Sequence, residues 1–168
     1  MALGFTLPGY FLNKRLLTAG LLILAGCERA NRTATLFEPL QPAATGITFV
    51  NHLPEDPGLN ILNYLYYYNG AGVAAGDVDN DGLPDLYFTS NLGPDRLYLN
   101  RGDYRFDDVT AQAGIRPGDG WKSGVTMADV NGDGWLDIYV SGITYLTMRG
   151  RNVLYVNDGD GTFTDRTE

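Results

Sequence analysis

Nine residues, Asp77 to Asp85 (D-V-D-N-D-G-L-P-D), place the strongest constraint on this chain. Asp77, Asp79 and Asp81 alternate, Gly82 follows, and Asp85 closes the run. Carboxylates packed this closely disfavour one another's ionisation unless a cation lies between them. Hard cations such as calcium take six to eight oxygen ligands at about 2.3–2.6 Å, from carboxylates, backbone carbonyls and water. Acids at positions 1, 3, 5 and 9 of a tight loop can aim such oxygens inward, the Leu83 carbonyl at position 7 can add another, and Gly82 admits the sharp turn. The spacing returns 52 residues later as D-V-N-G-D-G-W-L-D. There Asp129, Asn131, Asp133 and Asp137 take the side-chain positions and Trp135 the carbonyl position. The competing reading is a solvated acidic turn without metal. Two loops of one spacing favour ligation, and calcium is the expected ion.

The resemblance to an EF-hand loop is only partial. Position 12 is Phe88 in the first copy and Val140 in the second, where an EF-hand needs a bidentate Glu and a helix on each side. The flanks are instead short runs rich in Val, Ile, Tyr and Phe: G-V-A-A-G-D-V from Gly72 and D-L-Y-F-T-S to Ser90, then G-V-T-M-A-D-V and D-I-Y-V-S around the second loop. Each acidic loop is therefore expected to join two antiparallel strands, so that a bound ion pins a hairpin and its register.

A second pattern lies between the loops. L-Y-L-N-R-G-D-Y-R-F-D-D-V-T (Leu97 to Thr110) returns as L-Y-V-N-D-G-D-G-T-F-T-D-R-T (Leu154 to Thr167), offset by 57 residues. The five extra residues fall around Thr144 to Arg151, where a longer loop is expected. Asn100 to Asp103 and Asn157 to Asp160 carry strong turn chemistry between two strands. A fainter copy opens the region, with Phe37-Glu38-Pro39-Leu40 and Thr45-Gly46-Ile47 echoing Phe106-Asp107-Asp108-Val109 and Ala113-Gly114-Ile115. Each unit thus has four short strands. That count and a period of 50–60 residues point to a propeller blade rather than an open stack, because circular closure removes exposed sheet edges. The 22 Gly and 12% aromatic residues agree with an all-β chain.

The net charge of −8 argues against a nucleic-acid partner, whose phosphates it would repel. At the N-terminus, Lys14 and Arg15 precede an apolar run from Leu16 to Ala25, and Leu24-Ala25-Gly26-Cys27 ends it. This is the layout of a secretory signal peptide, too short for a comfortable membrane span. Residues 1–26 are expected to be removed, taking the net charge from −8 to −10, and residues 27–36 to act as a tether. The first thirteen residues exceed what such a signal needs, so the true start codon is a candidate to lie further in. Cys27, the only cysteine, excludes an internal disulfide. Its position after Leu-Ala-Gly resembles the bacterial lipoprotein box, which implies lipidation of its sulfur. An ordinary signal peptide followed by an incidental cysteine is the alternative.

The stretch N-G-A-G-V-A-A-G-D-V-D-N-D-G-L-P-D-L-Y-F-T-S-N from Asn69, with its second copy from Gly124 to Ser141, resembles the FG-GAP/VCBS repeats. These are the calcium-loop blades of integrin α-chain propellers and of many bacterial surface proteins. The resemblance covers about residues 37–168 and is nearest to VCBS-repeat lipoproteins of the ASPIC/UnbV and cartilage-acidic-protein type. It implies calcium at Asp77, Asp79, Asp81 and Asp85 with the Leu83 carbonyl, and at Asp129, Asn131, Asp133 and Asp137 with the Trp135 carbonyl. The pattern departs where Tyr68-Asn69-Gly70 replaces Phe-Gly, and where Thr89-Ser90-Asn91 and Ser141-Gly142-Ile143 replace Gly-Ala-Pro. Just over two repeats fit in the chain, whereas a closed propeller needs about four to eight blades. A partial propeller, cut from a longer protein, is expected.

Other residues invite functional readings. His52 is the only histidine and has no evident catalytic partner, so a loop role is expected. Tyr64, Tyr66, Tyr67, Tyr68, Trp121 and Trp135 could stack on sugar rings, and packing between blades is the favoured reading. Ser123 and Ser141 lack a nucleophile-elbow context. The leading expectation is a non-enzymatic, calcium-stabilised module, lipid-anchored on a bacterial envelope, that presents loops to a protein or glycan. The alternative is a scaffold or accessory part of a larger extracytoplasmic enzyme acting on polysaccharide.

Overall fold

The computed structural model describes residues 36–168 apart from Glu55, Pro117 and Asp119. The expected signal segment, Cys27 and nearly all of the tether lie outside the described residues. The chain divides into two units, residues 1–39 and 40–168. Of the first, residues 36–39 are described and form exposed, irregular chain. The second carries the acidic loops.

Two antiparallel sheets build this unit. The first runs β1 (Val73–Gly76), β2 (Asp85–Phe88), β3 (Arg96–Asn100) and β4 (Phe106–Asp108) in sequence order. The second runs β5 (Trp121–Ala128), β6 (Asp137–Tyr145), β8 (Val153–Asn157) and β9 (Phe163–Asp165), and β7 (Met148–Arg149) pairs with the far end of β6. The acidic loops join β1 to β2 and β5 to β6, and the Asn-x-Gly-Asp turns join β3 to β4 and β8 to β9. One difference from the sequence reading lies at Thr144 to Arg151. The extra residues extend β6 into a two-stranded ribbon with β7, turning at Leu146 with φ 50°, instead of forming a loop.

The core lies between the sheets. Tyr87 and Leu97 of the first meet Ile138, Val140, Val153 and Tyr155 of the second, with Val78 from the first acidic loop and Ala113 and Ile115 from the link between sheets. Each aliphatic side chain buried there contributes about 1.5–3 kcal/mol relative to exposure. Close approach of β1 to β5 requires Gly72: a side chain there would begin 2.6 Å from the Val125 nitrogen and 2.8 Å from the Gly124 backbone. The other face of the first sheet is covered from the N-terminal side, where Phe49 stacks on Phe88 at 5.0 Å and the Tyr98 hydroxyl accepts the Thr48 N–H. The faint N-terminal copy has a structural meaning. The turn Pro42–Thr45, closed by Gly46 at φ 80°, seats Gly46 on the Phe106 carbonyl of β4; Gly114, at φ 73°, approaches the Phe163 carbonyl of β9 in the same way.

Burial raises the pKa of the Tyr87 hydroxyl, and the adjacent Asp95 carboxylate raises it further. Burial also raises that of Tyr155. Unfolded tyrosines ionise at about pH 10. A raised folded-state pKa contributes stability that is complete below the unfolded value and declines as pH rises from there toward the folded value. Urea unfolding midpoints are therefore expected to fall above about pH 10, with a shallower fall in Tyr87→Phe. A midpoint that stays flat between about pH 9 and 11 would contradict this assignment.

Candidate metal centre

The first loop folds around its own carboxylates. Asp77 accepts the Asp81 N–H at 3.1 Å and the Gly82 N–H at 2.9 Å, and Asp81 accepts the Leu83 N–H at 2.8 Å. The second loop repeats this with Asp129 accepting Asp133 at 3.1 Å and Gly134 at 2.9 Å, and Asp133 accepting Trp135 at 2.9 Å. Backbone conformation matches position by position: Gly82 and Gly134 have φ 89° and 90°, and Asn80 and Gly132 have φ 57° and 79°. Such angles exclude most side chains, so the glycine at position 6 is a local requirement of the turn. The Gly134 N–H, ahead of the Gly132 and Asp133 N–H groups, holds Asp129 below the usual carboxylate range.

The ninth position does different work. Asp85 and Asp137 are buried at the starts of β2 and β6. Asp85 accepts the Val78 N–H and the Asn100 N–H, each at 2.8 Å. Asp137 accepts the Val130 N–H at 2.9 Å and the Asn157 N–H at 2.8 Å. Each carboxylate thus ties the head of its loop to the third strand of its sheet. Burial raises the pKa of Asp85; the Asn100 and Val78 N–H groups oppose this, and the charges of Asp79 and Asp81 reinforce it. A cation in the loop would favour the ionised form.

One oxygen each from Asp77, Asp79 and Asp85 lie within 4.8 Å of one another. Three hard oxygens at that spacing fit a hard divalent cation. Each carboxylate retains acceptor capacity beyond its backbone bonds, since an ionised carboxylate has about four lone-pair sites. Asp81 lies outside this trio and is exposed. Leu83, at the carbonyl position, is half-buried. In the second loop Asp129, Asn131 and Asp133 are exposed and Trp135 is half-buried, with the Asn131 amide donating to Asp133 at 2.8 Å. That loop presents carboxylates from Asp129, Asp133 and Asp137 and one amide.

Residues 77–140 match the family model of the FG-GAP-like repeat. That stretch is similar to the FG-GAP-like repeat. It begins on the first acidic residue and ends in β6, so it includes both acidic loops. Similarity extends to cartilage acidic protein 1 of Xenopus tropicalis, 31% identical over 103 residues, covering 61% of this chain and 15% of that protein. The Homo sapiens protein of the same name is 38% identical over 90 residues, covering 54% of this chain and 13% of its own length. The chain therefore spans about one seventh of the relatives it matches.

Two residues beside the acidic loops do more than their sequence context suggests. Asn100 and Asn157 do shape turns, accepting the Gly102 N–H at 2.9 Å and the Gly159 N–H at 3.0 Å. Their amides also reach back to the acidic loops, Asn100 to the Pro84 carbonyl at 2.9 Å and Asn157 to the Leu136 carbonyl at 3.1 Å. Their recurrence at one place in the repeat was the available signal. The aromatic residues sort by burial. Tyr64, Tyr67 and Trp121 pack with Leu59 and Met148 in a second cluster, whereas Tyr66 and Tyr68 are exposed. His52 is an exposed loop residue, and Ser123 is exposed with its hydroxyl 3.4 Å from the Ser141 carbonyl.

Proposed function

We propose that this chain is a non-enzymatic, calcium-binding cell-envelope module. Its FG-GAP-like hairpin loops hold calcium, and its sheets form part of a propeller that presents surface loops to a protein or glycan partner. The carrying observation is the trio Asp77, Asp79 and Asp85 at the end of a hairpin within the repeat. Calcium, when bound, cancels the mutual repulsion of these carboxylates. The chain itself does the rest: Asp77 and Asp81 hold the turn through backbone N–H groups, and Asp85 anchors it to β3 through Asn100. Asp81, the Leu83 carbonyl, and Asp129, Asn131, Asp133, Asp137 and the Trp135 carbonyl complete the two proposed ligand sets. The sequence pattern at Cys27 supports export and a lipid anchor.

Thermal unfolding with calcium and then with EDTA tests the metal reading. A ligand at about 100 times its dissociation constant adds roughly 2.7 kcal/mol, which raises the midpoint by about 5–10 °C. Asp79→Ala is expected to remove the first loop's share of this rise and Asp133→Ala the second's. A folded chain whose midpoint ignores calcium would overturn the proposal.

A further inference from the structure

We infer that the two acidic loops bind their cations cooperatively, with Asn157 as the positioning residue that couples them. This rests on the calcium reading above and concerns how the two loops act on each other. Asn157 is 3% exposed, and its amide donates to the Val78 carbonyl of the first loop at 2.9 Å and to the Leu136 carbonyl of the second at 3.1 Å. Val78 donates its own N–H to Asp85, a carboxylate of the first trio. Asn157 donates its backbone N–H to Asp137, the equivalent carboxylate of the second loop. Three hydrogen bonds, joined through the Val78 backbone and through Asn157 itself, thus link Asp85 to Asp137. A second bridge crosses at the surface, where the Asn80 amide lies 3.3 Å from the Gly134 carbonyl.

Filling the first loop fixes the backbone of Val78, and with its carbonyl the Asn157 side-chain amide that holds Leu136, while the Asn157 backbone N–H holds Asp137. The ordering required by the second loop is then partly complete before its cation arrives, which is positive coupling. Repulsion between cations acts the other way. With one divalent ion each, however, the four acids of the first loop and the three of the second still leave both loops negatively charged.

The test uses the full chain. Calcium is titrated by calorimetry, and terbium, a hard substitute cation, by luminescence sensitised through Trp135, which reports on the second loop because it sits inside it. In Asp79→Ala the second loop is expected to need about five-fold or more terbium for half-saturation, and in Asp133→Ala the first loop is expected to lose calcium affinity by a similar factor, since binding coupling is reciprocal. Asn157→Ala should remove most of that factor. Asn80→Gly, which tests the surface bridge at a position whose φ of 57° suits glycine, should reduce it in part without risk to folding. Unchanged affinity at each loop when the other is disabled would overturn the coupling while leaving the calcium sites standing. An Asn157→Ala chain that loses thermal stability but keeps the factor intact would overturn the coupling role of Asn157 in the same way. Absence of binding by either cation would overturn both the coupling and the calcium reading.

Discussion

Lys122→Ala is expected to lower unfolding stability by about 3–5 kcal/mol, the usual cost of removing one partner from a buried ion pair. The Lys122 ammonium lies 3.1 Å from Asp95, with side-chain exposures of 2% and 3%. Lys122 also donates to the Gly93 and Gly118 carbonyls at 2.9 and 3.1 Å. Asp95 accepts the Ser90 N–H at 2.9 Å and the Tyr87 hydroxyl at 3.2 Å. The pair therefore joins the β2–β3 connection to the start of β5, and alanine would leave the Asp95 charge buried without its counter-ion. Lys122→Met with Asp95→Asn, which removes both charges, should recover a substantial part of the loss. By contrast Arg101, whose pair with Asp107 is 44% and 63% exposed, should show little effect, because exposed pairs contribute about 0–1 kcal/mol. Urea unfolding at neutral pH decides the matter. A Lys122→Ala loss no larger than that of Arg101→Ala would show that the pair is not desolvated in solution.

The second large effect is expected at Trp121. Truncation to alanine should cost about 3–5 kcal/mol, the range for buried aromatic residues. Trp121 is 2% exposed and meets Tyr64 edge-on at 5.4 Å and Tyr67 at 5.5 Å. Tyr67 in turn donates its hydroxyl to the Pro54 carbonyl at 2.7 Å, so the cluster holds the segment before β1 onto the start of β5. Trp135→Ala, at a half-buried position of the exposed second loop, should cost far less while abolishing the sensitised terbium signal. Denaturant titration followed by circular dichroism separates the two tryptophans, and equal losses would contradict their different packing.

The acidic loops, the turns and most of the strands were legible in the sequence because their causes are local. Nine residues suffice to place Asp77, Gly82 and Asp85 in one turn, and the left-handed backbone at Gly82 and Gly134 follows from that turn alone. The four-strand repeat was visible for the same reason, since each strand is bounded by its own Gly, Asn or Asp signal. The ribbon at Tyr145 and Met148 was not, because a Leu146-Thr147 turn carries none of the residues that usually announce one.

Tertiary structure alone decided the rest. A register shift between Lys122 and Gly124 in β5 sets Trp121 and Lys122 side by side in the interior, against the alternation a regular strand would give. Asn91 became a hub, pairing with Asn51 and with the carbonyls of Gly70 and Lys122, at separations of 21 to 40 residues. Asn157 met Val78 across 79 residues. These contacts depend on how one sheet lies against the other, and spacing along a chain carries no information about that angle. The sequence by itself determined that two oxygen-rich hairpins exist. Packing between the sheets determined that hydrogen bonds through Asn157 link the two hairpins, and that a lysine lies buried against the β2–β3 connection.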